Sequence, residues 1–216
     1  MLGILLMAFG TAVMKTAGFG VSMVVAPAYL LHLYISAYLP WFTFGVAEYA
    51  LQAVLMVAMM LIMRRVRAYY FFAFITAILY GAALDACIAL LQPLPNGGFL
   101  GRLLLYLFGL FWNSVGLAFL FQTYIAPEIY QLFVKELAAK LHKEVHRVKT
   151  CYDCISCAVS VLMSFAFFGF GVFEGVKLGT VFYALINGWL IGKITAFLHA
   201  KFEFCDRLPL RKYFQA

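Results

Sequence analysis

Long apolar runs separated by short polar links recur six times along the chain, and this alternation constrains the fold more than any single motif does. The charge-free stretches 16–47, 103–127 and 154–173 meet or approach the roughly 20 apolar residues that an α-helix needs to cross a bilayer's hydrocarbon core. A soluble domain carries about 25% charged and about 45–50% apolar residues; here the shares are 12% and 66%. With 23 Phe and 13 Tyr among 216 residues, the surface of a water-soluble fold could not be made polar enough. The expectation is an all-α polytopic membrane protein forming one bundle, without room for a second domain of ordinary size.

The 16 Lys and Arg residues, within a net charge of +7, are gathered in the links and not spread along a binding face, which argues against a nucleic-acid partner. Arg64, Arg65 and Arg67 follow the second apolar helix. Lys135, Lys140, Lys143, Arg147 and Lys149 lie between the fourth and fifth, and Lys201, Arg207, Arg211 and Lys212 in the tail. Six spans, at about 1–17, 40–63, 68–92, 100–124, 150–173 and 177–199, collect all of these on one side. The positive-inside rule then places both termini in the cytoplasm of a cell-membrane protein, with anionic lipid headgroups as partners of the basic side. Met1 to Met14 lacks a charged leader region and a small-residue cleavage site before Lys15, so it reads as a retained first helix.

Pro93-Leu-Pro-Asn-Gly-Gly98 is a turn at the midpoint of the chain, dividing 1–92 from 100–199 and leaving 200–216 as a basic tail. Each half has an unusual segment after its first helix. Residues 17–39 are apolar but contain Gly18, Gly20, Pro27 and His32, so a broken, re-entrant segment is expected there. In 125–149, Tyr130, Phe133, Leu137, Leu141 and Val145 recur every three or four residues, and the expectation is an amphipathic helix in the cytoplasmic interface.

The motifs Lys15-Thr-Ala-Gly-Phe-Gly-Val-Ser22, Phe44-Gly45, Gly81-Ala-Ala-Leu-Asp85, Val148-Lys-Thr-Cys-Tyr-Asp153, Gly179-Thr180 and Leu190-Ile191-Gly192 occur in that order. Their order and spacing resemble those of the YczE-like, YitT-related family of bacterial integral membrane proteins. The chain departs from the family pattern at Met23 and Lys193, where Pro is common, and at His146-Arg147, where Gly-Thr is usual. The resemblance implies six helices and little chemistry.

Three spans per half require the second half to enter the membrane from the opposite side if the halves are duplicates, so a 3+3 inverted repeat is expected. Such repeats are frequent in secondary transporters. Gly81 and Leu84 match Gly188 and Ile191, and Gln52 matches Asp153, but apolar helices produce such coincidences readily.

A charge near the bilayer centre costs about 2.5–3.5 kcal/mol even on the lenient insertion scale, so ionisable groups within spans mark candidate sites. Glu48 and Gln52 share a helix face, and Asp85 lies on the third span. With Lys15, Ser22, Asp153, Asn187 and Lys193 they form the expected substrate or ion pathway, in which Glu48 and Asp85 relay a proton or cation in one cavity. Structural ion pairing competes evenly with that reading for any single residue. Asn113, Gln122 and Asn187 also suit interhelical hydrogen bonds.

Cys151, Cys154 and Cys157 line one helix stripe, but packing thiols outweigh a metal site there. Cys87 lies in a span and Cys205 in the tail, a distribution that does not suit a disulfide framework. His142-Lys-Glu-Val-His146 carries its Glu in the wrong place for metalloprotease chemistry. Without a nucleophile elbow or phosphate loop, neither an enzyme nor a cofactor is expected. The leading expectation is a small permease, proton-coupled, for an undetermined small solute, with a homodimer left open. Its rival is a non-transporting membrane scaffold whose basic helix docks another protein, and an intramembrane enzyme comes third.

Overall fold

The computed structural model describes residues 1–91, 98–121, 128–143, 145–174 and 176–201. Eight helices occupy them: α1 (Leu2–Ala17), α2 (Ala26–Ser36), α3 (Phe44–Met63), α4 (Ala68–Leu91), α5 (Phe99–Phe121), α6 (Ile129–Leu141), α7 (Val145–Phe168) and α8 (Leu178–Lys201). Five of them, α3, α4, α5, α7 and α8, contain segments long and apolar enough to cross a membrane, and α1 is a shorter apolar helix. The protein is therefore all-helical and multi-pass. Most of the expected turn at 93–98, Gln122, Cys205 and the tail basic residues Arg207, Arg211 and Lys212 lie outside the described residues.

Local chemistry sets the helix ends. Gly18, at φ 74°, closes α1 in the left-handed conformation that glycine tolerates, and Arg102 Nε donates to Ala17 O at 2.9 Å. That places a cation on the negative end of the α1 dipole. Thr43 caps α3, its hydroxyl accepting from Val46 N at 3.2 Å. Pro27 sits in the first turn of α2, where its missing N–H costs nothing.

The bundle is organised around an antiparallel crossing of α1 and α5. Gly3 faces Gly116 and Gly10 faces Gly109, so backbone meets backbone: a Cβ on Gly10 would stand 2.4 Å from Asn113 N and 2.6 Å from Gly109 O. Such close approach needs small residues on both helices. α4 packs beside α1, and α8 beside α5. α3 packs on α4, where Gly45 and Gly81 provide a second close crossing.

The two short helices each thread between others. α2 packs against α3 and α7; α6 packs against α3, α7 and α4. Ile129 N donates to Gln52 Oε1 at 3.0 Å, whereas Lys140 Nζ donates to Ile62 O at 2.5 Å. α6 thus runs alongside the second half of α3 for about 15 Å at 1.5 Å per residue. α2 does the same on α7: Val21 and Ala26 pack with Cys157 and Val161, and Tyr34 stacks on Phe167 with centroids 4.3 Å apart.

The amphipathic stretch expected over 125–149 differs in form. α6 ends at Leu141, His142 takes a left-handed turn at φ 51°, and α7 begins at Val145. Tyr130 and Phe133 are buried against protein, with Ile129, Leu132, Val134 and Ala138. An apolar stripe has the same periodicity whether helices or lipid tails cover it.

The α1/α5 crossing gives a direct test. Gly10→Val forces two backbones apart and should destabilise the protein by at least about 1–3 kcal/mol, the usual cost of overpacking. A side chain at Gly192 would meet nothing within 4 Å, so Gly192→Ala should leave the melting temperature in detergent essentially unchanged. Equal effects would refute this packing.

Candidate functional site

At the junction of α3 and α6 two carboxyl groups are enclosed together. Glu48 is 0% exposed, and Glu128, the residue preceding α6, is 8% exposed. Gln52, one turn below Glu48, is also fully buried and links the two helices. Its Oε1 accepts from Ile129 N, which fixes the amide orientation and turns Nε2 to Glu48 Oε1 at 3.4 Å. Glu48 Oε2 and Glu128 Oε1 have no closely placed hydrogen-bond donor, and the Tyr130 hydroxyl is the group near enough to Glu48 to bond it.

The electrostatics of this junction are unbalanced. Glu48 and Glu128 act on one another, Tyr130 lies beside Glu48, and Tyr152 of α7 is in range of both acids. The cation acting on Glu128 is Lys149, whose Nζ is 3.6 Å from Asp153 Oδ2. Burial outweighs it and pushes the Glu128 carboxyl up to about 8.

A chain of buried hydrogen bonds leads from here across the core. Tyr80, in electrostatic range of both acids, donates to Thr11 Oγ1 at 2.9 Å. Asn113 Nδ2 donates to the same oxygen at 2.9 Å and to Met7 O at 3.1 Å, and Tyr183 donates to Asn113 Oδ1 at 2.7 Å. Ser114 Oγ and Asn187 Oδ1, 2.9 Å apart, join α5 to α8 nearby. The chain ties α4, α1, α5 and α8 together through groups that lipid could not satisfy.

Asp85 belongs to a different neighbourhood from Glu48. Its carboxylate accepts from Gly45 N at 2.8 Å and from the Thr43 hydroxyl, so it caps α3 at the positive end of the helix dipole. Lys15 is in electrostatic range of it, with Nζ 5.9 Å from the Phe44 ring centroid. His32 Nδ1 lies 2.9 Å from Phe42 O, and burial lowers the affinity of the ring for a second proton. Both Asp85 carboxylate oxygens thus have partners, in contrast to those of Glu48 and Glu128.

The remaining sequence candidates are dispersed. Ser22 sits in the loop before α2, its carbonyl accepting from Val25 N and Ala26 N at 3.1 and 2.9 Å. Asp153 is half-buried with Lys149, Asn187 bonds Ser114, and Lys193 is exposed on α8. Among the described residues, no group of three His, Cys, Asp or Glu side chains is arranged to hold a metal. Glu128 was missed by sequence reasoning because it opens a segment that reads as surface helix. The signal was Pro127-Glu128 ending a charge-free run, a proline and an acid where a helix restarts.

Residues 1–196 match the family of unknown function DUF6198. The chain belongs to that family. No curated protein and no solved structure matches it, so the functional reading rests on this site.

Because Asp85 caps a helix, Asp85→Ala should cost about 0.5–2 kcal/mol of stability. Thr43→Ala should cost a similar amount, and the double variant less than the sum, since the two side chains share one bonded unit. Unfolding midpoints in detergent report this; an unchanged midpoint for Asp85→Ala would remove its capping role.

Proposed function

We propose that this protein is a small secondary transporter, proton-coupled, that moves a small solute across the cell membrane. The observation that carries the reading is the Glu48–Glu128 junction, an enclosed pair of acids with unpartnered oxygens in a bundle of apolar helices. Ionisable groups held at such cost inside a membrane protein mark ion or substrate pathways by default.

A 3+3 inverted repeat is the architecture we infer, with α1, α3 and α4 crossing in one half and α5, α7 and α8 in the other. Gly3 and Gly10 recur at the same spacing as Gly109 and Gly116, and each glycine of one pair meets one of the other. The pairing of α1 with α4 corresponds to that of α5 with α8, α2 on α3 to α6 on α7, and α2 on α7 to α6 on α3. On this reading α2 and α6 are matching half-length helices, a recurrent transporter device. The basic link 64–67 and the end of α6 meet through Arg67 and Glu136, 3.5 Å apart, which supports one cytoplasmic side for both.

The halves differ in two contacts. α3 packs on α4 through Gly45 and Gly81 and α4 touches α6, whereas among the described residues α7 does not pack along α8, α8 does not pack on α2, and a Cβ on Gly188 or Gly192 would meet nothing within 4 Å. In a two-fold design, exchanging these arrangements between the halves opens the opposite side, which is the alternating access that a carrier requires. The scaffold alternative gains less support, because the buried face of α6 is already used inside the bundle.

The test begins with a comparison of metabolites retained by cells with and without the protein, followed by uptake of the compound so identified into reconstituted vesicles. Glu48→Gln should insert normally and lower uptake by at least about tenfold, corresponding to about 1.4 kcal/mol. Normal, pH-dependent uptake by this variant would end the proton-coupled reading.

A further inference from the structure

We infer that Glu48, Glu128 and Tyr130 form a binding site for one small monovalent cation, which competes with a proton for the same oxygens. The inference deepens the transport reading by naming the coupling ligand, but its evidence is the geometry of the α3/α6 junction.

Glu48 Oε2 and Glu128 Oε1 are buried without a closely placed donor, and the Tyr130 hydroxyl lies beside Glu48 as its hydrogen-bonding neighbour. Two carboxyl groups in mutual range exclude an anion and leave the site short of positive charge. The start of α6 supplies part of it through the positive end of its helix dipole, but Ile129 N is already committed to Gln52. An entering cation would complete the balance.

The donor set selects the ligand. Hard oxygens suit Na+ or Li+ and not a soft metal. Calcium, which takes about 6–8 oxygens, and magnesium, which keeps several waters, each carry one charge more than two carboxyls sharing a proton can neutralise, and the junction is closed to solvent. A large organic cation is excluded by the same closure, since Glu48 and Gln52 are both 0% exposed. With one carboxyl ionised and the other protonated, a single positive charge gives a neutral site.

The proposed repeat makes the site single. At the matching junction of α7 with α2 the packed apolar residues are Cys157 and Val161 against Val21, Ala26, Tyr29 and Val176, and the acid in range of Tyr29 is Glu174, which pairs with Lys177 at 3.7 Å. One cation per chain follows.

The charged and titratable groups around the pair are Tyr80 of α4, Tyr130 of α6, and Lys149, Tyr152 and Asp153 of α7, with Tyr183 of α8 further along the core. Lys149 is engaged by Asp153 and does not neutralise the acids. Proton binding to the carboxyls is therefore the competing event. Cation affinity should rise with pH until the acids are ionised.

The test uses the purified full chain in detergent and needs no transport. Its melting temperature, read from tryptophan fluorescence, is compared in NaCl, LiCl and choline chloride of equal ionic strength between pH 5.5 and 9. In choline the protein should lose stability as pH rises from 4.5, the ordinary carboxyl value, towards 8, because the folded state holds a proton that the unfolded chain releases. NaCl or LiCl should restore it at high pH. The apparent affinity should weaken about tenfold per unit of pH on the acid side, as for one proton competing with one cation. Glu48→Gln and Glu128→Gln should each abolish the difference between NaCl and choline, while Glu136→Gln retains it. Identical melting in NaCl, LiCl and choline across the range would overturn the site. Stabilisation by CaCl2 or MgCl2 alone would do the same, and so would a sodium effect surviving in both Gln variants. Loss of solute uptake with the cation effect intact would count against the transport reading only.

Discussion

Everything else in this fold hangs on two helices approaching closely enough for their backbones to touch. In lipid no hydrophobic gain separates one apolar contact from another, so helices associate through van der Waals packing and interhelical hydrogen bonds. The glycines of α1 and α5 provide the first. Their closeness also supplies the second, because Asn113 of α5 reaches Met7 O and Thr11 of α1 only across a glycine contact. From Thr11 and Asn113 the polar chain extends to Tyr80 and Tyr183, fixing α4 and α8 on either side. The steric and polar parts of the core are one device.

Because the central crossing satisfies its own polar groups, cost is concentrated at the edge, where α6 meets α3. A buried carboxyl without a partner is expensive, and a fold that only needed packing would place a leucine at position 48. Gln52 shows how the surroundings tolerate the expense: it anchors the first amide of α6 and turns its own amide towards Glu48. The position of α6 and the ionisation of Glu48 are thereby coupled through one side chain. Any change in the charge of Glu48 is felt at the start of α6, and movement of α6 removes Glu128 from Glu48.

Much of the helical plan was legible in the sequence, because spans announce themselves by length and hydropathy. α3, α4, α5 and α8 lie within a few residues of where the apolar runs put them. Less legible was which polar residues meet. Glu48 and Asp85 look equivalent as acids in neighbouring spans, yet Asp85 finds a backbone amide and a hydroxyl at a helix terminus while Glu48 does not. That difference comes from register between helices, and a hydropathy pattern does not encode register. Glu128 escaped for a related reason: charge and amphipathicity in 125–149 suggested a surface, and only the packing of α6 on α3 turns its first residues inward.

The glycine spacing fits the proposed internal repeat more closely than the polar residues do. Seven positions separate Gly3 from Gly10 and Gly109 from Gly116. Under the proposed repeat, a crossing of two equivalent helices about a two-fold axis needs each helix to bring the same small residues to the same place. Side chains at the half-length helices face no such requirement. The junction of α3 with α6 holds two acids, and that of α2 with α7 holds apolar groups and the Cys157 thiol, with Glu174 in range of Tyr29. Under the proposed repeat, this unlike chemistry in like geometry would leave the response to charge at Glu48 and Glu128 to the α3/α6 junction.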